Sequence, residues 1–144
     1  MSWLPKKTVV VPVDFSSQSV EAIRTAQEMV ESPAGLHLIH VVLPLTAISV
    51  GEAWVAEDVE SRLSAAREYL AKYLRENAIS GVTAVVWEGD PGLQIAEYAT
   101  SVKADLVVIP SHGRHGVQRL LLGSVAERVL RHVECPILVL RRTD

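Results

Sequence analysis

Five short apolar runs, Thr8 to Val13, Leu36 to Leu43, Val82 to Trp87, Leu106 to Ile109 and Ile137 to Leu140, are separated by longer segments of helical period. The segments VVV, LVVI and ILVL within them carry no polar residue. A strand with one face in water would alternate polar and apolar positions, whereas a strand covered on both faces by helices would not. The pattern therefore predicts an α/β fold in which an open, five-stranded parallel sheet is doubly wound by four helices. A chain of 144 residues has room for one such unit, and no repeat or linker divides it, so residues 1–144 are expected to form a single domain.

The helices are placed by stripes and caps. The first is expected to start at Ser16 or Ser17, to turn Val20, Ile23 and Met29 toward the sheet, and to end before Pro33 and Gly35. The second carries Val55, Val59, Leu63, Ala66, Leu70 and Leu74 at spacings of three and four, through about Asn77. The third opens with Asp90 as N-cap and Pro91 at the first helical position, and would bury Ile95, Ala99 and Val102. The fourth begins at Ser124, where Ser-Val-Ala-Glu reads as a capping box closed by Glu127, and would bury Val125, Val129 and Val133. A long loop, Pro44 to about Trp54, joins the second strand to the second helix, and long loops often line sites.

Composition narrows the function classes. The apolar share is 49% and the charged share 22%, enough to build a core, and the net charge of −3 lacks the positive field that non-specific binding to nucleic acid or a membrane surface requires. One cysteine, Cys135, excludes an intrachain disulfide and fits a reducing cytoplasm, and its apolar setting beside Pro136 suits a buried, inert thiol. No signal-peptide-like or membrane-spanning run is found, so a cytoplasmic location is the expectation. Residues 1–110 carry a net charge of −6 and residues 111–144 a net +3, so the basic end either faces an anion or forms a solvated helix face and tail.

In an open parallel sheet, ligands sit beyond the carboxyl ends of the strands where the strand order reverses. Two such loops stand out, Pro12-Val13-Asp14-Phe15-Ser16 after the first strand, and the stretch after the fourth that runs Pro110-Ser111-His112-Gly113-Arg114-His115-Gly116 and on to Gly123-Ser124. Gly113, Gly116 and Gly123 lack a Cβ, so backbone amides there can approach an anion, and Gly123-Ser124 lies at a helix N-terminus whose dipole favours negative charge. Arg114 and Arg119 would add charge. The same glycines equally serve to shape a turn, Ser124 to cap its helix, and Asp14 to cap the helix after it. His112 and His115 have no nearby cysteine or carboxylate to complete a metal site, and His112 better suits a hydrogen bond to ribose or phosphate. His37 and His40 fall within the second strand as packing or edge residues.

These motifs resemble those of the universal stress protein family over essentially the full length. The matching segments are Pro12-Val13-Asp14-Phe15-Ser16, Gly89-Asp90-Pro91, Ser111-His112-Gly113, Gly123-Ser124-Val125-Ala126-Glu127-Arg128-Val129 and Cys135-Pro136-Ile137-Leu138-Val139. The nucleotide signature of that family is glycine, two residues, glycine, nine residues, glycine, then Ser or Thr, and Gly113, Gly123 and Ser124 fit it. The resemblance implies a Rossmann-like strand order of 3-2-1-4-5 and a stress-response protein that binds ATP, alone or with Mg, or another adenine nucleotide. It implies that Asp14, with Pro12 and Val13 beside it, and the main chain near Val41 hold the adenine and ribose, and that Gly113, Gly123, Ser124 and Val125 hold the phosphates. His112, Arg114 and Gly116 complete that candidate set, with Ile109 and Pro110 at the end of the fourth strand.

Pro110 departs from the pattern, because it stands where the first glycine of the signature belongs. Proline offers no N–H and restricts Ile109 before it, so it weakens a site that relies on close backbone approach and is tolerated where only a bend is needed. A dimeric interaction module of the same fold that binds no nucleotide is thus a second reading, and a slow ATPase a third. The P-loop pattern is absent and no lysine follows Lys103, which excludes a P-loop NTPase. No nucleophile with an activating base is assignable from spacing. The last strand, Ile137-Leu138-Val139-Leu140, is expected at a sheet edge with no charge before Arg141, and a homodimer through it accords with the assembly the resemblance implies.

Overall fold

The computed structural model describes residues 2–44, 59–111 and 122–141. Five strands, β1 (Val9–Pro12), β2 (Leu36–Val42), β3 (Thr83–Glu88), β4 (Leu106–Pro110) and β5 (Ile137–Leu140), alternate with four α-helices, α1 (Ser17–Met29), α2 (Val59–Glu76), α3 (Pro91–Ser101) and α4 (Ser124–His132). All neighbouring strand pairs are parallel, as the apolar runs predicted, and the order across the sheet is β3-β2-β1-β4-β5, as the family resemblance implied.

The uninterrupted apolar runs are explained by two cores, one on each face of the sheet. Val9, Val11, Leu36, Leu38, Leu106 and Val108 join Ile23 and Ala26 of α1 and Leu70 and Leu74 of α2 on one face. Val10, Ile39, Val107 and Ile109 join Ile95, Tyr98 and Ala99 of α3 and Ala126 and Val129 of α4 on the other. Successive strand residues point to opposite faces, so consecutive valines in β1 feed different cores.

Three helix expectations are corrected. Helix α1 buries Ser19, Ala22, Ile23 and Ala26, and Val20 is only half-buried, because small residues let the helix lie close to the central strands. In α2, Val59 is 44% exposed at the helix start, and Leu70 and Leu74 are its buried residues; Val55 lies outside the described residues. In α4 the N-cap is Gly123 rather than Ser124, and no side chain caps it. The amide of Glu127 donates to the Gly123 carbonyl, which places Ser124 already inside the helix, so the capping box does not form and Glu127 instead accepts from Arg131 at 2.7 Å. That phase exposes Val125 (37%) and buries Ala126 and Val129, with Val133 packed half-buried at the edge of the same core.

Gly89-Asp90-Pro91 serves the docking of α3 on α4. Gly89 adopts φ +142°, a region L side chains rarely enter, and its amide donates to the Val42 carbonyl at 2.9 Å. Asp90 caps α3 by accepting from the Leu93 amide at 3.0 Å, and its other oxygen accepts from Arg128 of α4 at 2.7 Å. A Cβ on Gly92 would lie 2.5 Å from the Arg128 Cβ, so glycine is what permits this helix contact.

Candidate functional site

The carboxyl ends of β1 and β4 lie side by side where the strand order reverses, and the N-termini of α1 and α4 approach them. At the end of β1, the Val13 amide donates to the Ile39 carbonyl at 2.8 Å, which ties this corner to β2. Asp14 Oδ1 then accepts from the Ser16 amide (3.0 Å), the Ser16 hydroxyl (2.5 Å) and the Ser19 hydroxyl (2.7 Å), and Ser19 Oγ also accepts from the Asp14 amide at 3.0 Å. Ser16 is the N-cap of α1, so Asp14 braces the cap rather than serving as the cap itself.

His40 and Tyr73 reach the same corner from β2 and α2. His40 Nδ1 lies 2.7 Å from the Val13 carbonyl, which can only accept, so Nδ1 carries the proton. The Tyr73 hydroxyl donates to the Ser16 carbonyl at 3.1 Å. Between them sits Phe15, whose ring centroid lies 4.4 Å from that of His40, 4.7 Å from Tyr69 and 5.3 Å from Tyr73. His40 thus packs within the fold as the sequence suggested, but it also carries a specific hydrogen bond. Its signal was a polar residue on the strand face shared by Leu36 and Leu38.

Burial lowers the His40 pKa below 6.5, against the opposing pull of the Val13 hydrogen bond and the Asp14 charge, and burial likewise lowers His37, whose Nδ1 lies 2.8 Å from the Tyr98 hydroxyl. Both residues bind a proton less readily folded than unfolded. Their contribution to stability is therefore complete above pH 6.5 and is lost as pH falls below that value through the folded-state pKa. The urea midpoint is expected to fall between about pH 7 and about pH 5, and to fall less in His40→Asn. Burial, then the Asp14 charge, pushes the Tyr73 phenol up to about 12, so it stays protonated and donating at any physiological pH.

At the end of β2, Val41 pairs with Trp87 of β3 and its half-buried side chain packs against the α3–α4 core. Beyond it, Arg62 of α2 donates to the Leu43 carbonyl at 2.7 Å and lies 3.6 Å from Glu88. Arg62 Nη1 and Glu88 Oε2 are buried without a hydrogen-bond partner, so this pair is held by charge alone. Nothing in the sequence announced it, since the partners are far apart along the chain and meet only where α2 packs across the ends of β2 and β3.

At the end of β4, the buried Ser111 donates its amide to the Leu140 carbonyl at 2.8 Å and accepts at its carbonyl from the Gly123 amide at 2.5 Å. This second bond docks the start of α4 on the strand end. Gly123 has φ −72° and ψ 166°, angles open to any residue, and its amide is already used. The amides of Ser124, Val125 and Ala126 follow it, in the helix turn that has no intrahelical acceptors. His112, Gly113, Arg114, His115, Gly116 and Arg119 lie outside the described residues.

Strand alternation places Pro110. The amides of Val107 and Ser111 donate toward β5 (acceptors Pro136 and Leu140), so position 110 faces β1; the Val13 amide donates toward β2, so Pro12 faces β4. The two prolines therefore withhold their N–H groups on the facing sides of one crevice. The described β1–β4 register covers Val9 with Leu106 and Val10 with Val107, short of both prolines, so neither breaks a bond of that register.

Among the described residues no group of three or more His, Cys, Asp and Glu side chains could hold a metal ion, and no helix is long and apolar enough to cross a membrane. A groove along α2, lined by Glu60, Ser61, Ser64, Ala65 and Glu68, carries two carboxylates and does not suit a polyphosphate. Cys135 is half-buried, and burial raises its pKa, which disfavours the reactive thiolate.

The universal stress protein family model matches residues 6–141. The universal stress protein MJ0531 of Methanocaldococcus jannaschii is 34% identical over 141 residues, covering 94% of this chain and 82% of its own length. A universal stress protein of Thermus aquaticus is 28% identical, covering 94% of this chain and 98% of its own. Among solved structures, that of hypothetical protein MJ0577 superposes with a TM-score of 0.77 at 25% identity, covering 98% of this chain and 99% of that one. A universal stress protein in complex with cAMP superposes with a TM-score of 0.61 at 23% identity, covering 94% of this chain and 97% of that one. The sheet order, the motif order and a match over nearly all of its length agree: the chain belongs to the universal stress protein family.

Proposed function

We propose that this protein binds ATP, alone or with Mg, or another adenine nucleotide in the β1–β4 crevice, and acts in the cytoplasm as a stress-responsive regulator. The observation that carries this reading is the pairing of a braced carboxylate at one strand end with a helix N-terminus docked on the other. Asp14 is fixed through Oδ1, and the Gly123–Ser111 bond sets the free amides of α4 beside β4. A carboxylate accepts from hydroxyl or amino groups of a nucleoside, and helix amides donate to phosphate. In this assignment Asp14, with Pro12, Val13 and the Val41 main chain, takes the nucleoside. Ser124 and Val125 take phosphate, together with Gly113 and its neighbours His112, Arg114 and Gly116, and bound Mg would supply charge neutralisation there. The cAMP complex of a family structure, though of another protein, supports an adenine nucleotide as ligand.

Calorimetric titration of Mg-ATP into protein stripped of bound ligand tests this, with Gly123→Val as control. Valine suits the observed backbone angles at 123, so the variant should fold, while its branched side chain crowds the approach to the amides that follow. The expected loss is about tenfold or more in affinity, the scale of one charge-assisted hydrogen bond. Equal affinities in the two proteins, or no heat from the parent up to millimolar ATP, would reject the assignment. Phosphate release in the same preparation reads any slow hydrolysis.

One observation favours a second reading. Pro12 and Pro110 together leave the crevice without two main-chain donors, which suits a module that binds no nucleotide and works through its surface. β5 lies at the sheet edge, its residues Ile137 to Leu140 all half-buried, and a homodimer through this strand is the surface proposed; light scattering at micromolar concentration would show a monomer if it is wrong.

A further inference from the structure

Phe15 has φ +67°, a left-handed conformation that a bulky aromatic side chain adopts only when its surroundings enforce it. The strain falls on the residue that directly follows Asp14. The carbonyls on either side, of Val13 and Ser16, each accept a hydrogen bond from a ring-bearing side chain of another element, His40 of β2 and Tyr73 of α2. The Phe15 ring is held among His40, Tyr69 and Tyr73. Packing alone would be met by leucine at 40 and phenylalanine at 73. Burying an imidazole and a phenol there is costly unless their polar atoms act, and both act on the main chain that carries Asp14.

We propose that His40 and Tyr73 are positioning residues for nucleotide binding: by holding the Val13 and Ser16 carbonyls they keep Phe15 in its strained conformation and the Asp14 carboxylate in the orientation that receives the nucleoside. This inference rests on the proposed nucleotide site and adds to it residues that touch no ligand. Their contribution is preorganisation, so that binding does not have to order the β1–α1 corner.

The test is Mg-ATP calorimetry on the full chain with Tyr73→Phe, His40→Leu, His40→Asn and Asp14→Asn, each checked for folding by its urea midpoint. Tyr73→Phe keeps the ring and removes only the hydroxyl; His40→Asn keeps a donor near the position of Nδ1, and His40→Leu does not. Tyr73→Phe and His40→Leu are each expected to weaken ATP by about three- to tenfold, the range of one lost hydrogen bond, and His40→Asn to restore affinity to within about twofold of the parent. If His40→Leu does not fold, Tyr73→Phe alone decides. Unchanged affinity in Tyr73→Phe and His40→Leu, with binding abolished in Asp14→Asn, would overturn the positioning role and leave the nucleotide site standing. Loss in His40→Asn equal to that in His40→Leu would also overturn it, since a donor to Val13 would then be without effect. A parent that binds no ATP would remove both.

Discussion

Gly35→Ala is expected to destabilise the fold by about 3 kcal/mol or more, at the upper end of what overpacking costs. A Cβ at position 35 would stand 2.0 Å from the Lys7 carbonyl oxygen and 3.2 Å from a Val30 methyl carbon. The first obstacle is main chain and cannot rotate aside. Gly35 ends the short 3-10 turn Pro33–Gly35 and leads into β2, where Leu36 pairs with Val9, so relief of the clash would pry apart the start of the β1–β2 ladder. The expected consequence is a melting temperature lower by about 6 to 12 °C. A urea midpoint equal to that of the parent would mean that the two strands do not approach this closely.

Leu38→Ala is expected to cost about 3 kcal/mol, within the range measured for leucine truncation in packed cores. Leu38 is fully buried at the second position from one sheet edge, in the core formed with α1 and α2. Its strand neighbours are fixed by hydrogen bonds and its facing helices by their own contacts, so little collapse into the cavity is available. Leu43, five residues on and 45% exposed, provides the internal comparison, and Leu43→Ala should change stability by no more than about 0.5 kcal/mol. Comparable losses at the two positions in urea unfolding would contradict the burial described.

These two effects act on the frame; the site is set by finer contacts. The β1–α1 corner was visible in the sequence as an aspartate following a strand and preceding a serine cap, because capping depends on residues a few positions apart. The Asp14–Ser16 bonds follow from that local chemistry. His40 and Tyr73 were not visible as partners of the corner, since they come from separate elements and are brought to it only by the β1–β2 register and the packing of α2. Arg62 and Glu88 were missed for the same reason.

The phase of α4 shows how a local rule is overridden. Ser124 and Glu127 satisfy the capping-box pattern, yet the Ser111 carbonyl takes the Gly123 amide and the helix starts one residue earlier. With the helix begun there, Val125 lies at the surface and its amide, with those of Ser124 and Ala126, stands in the first turn, where the helix dipole is positive.

What the sequence determined by itself is the α/β alternation, the parallel sheet covered on both faces, and the positions of most caps and turns. These follow from apolar periodicity and from the fixed preferences of glycine, proline, serine and aspartate, which act over a few residues. Tertiary structure decided which amides remain at the start of α4, what holds Asp14 and Phe15, and that the missing donors of Pro12 and Pro110 face one crevice. Each of those depends on strand register and helix docking, where groups distant in the chain compete for the same hydrogen bonds, and no local preference records the outcome.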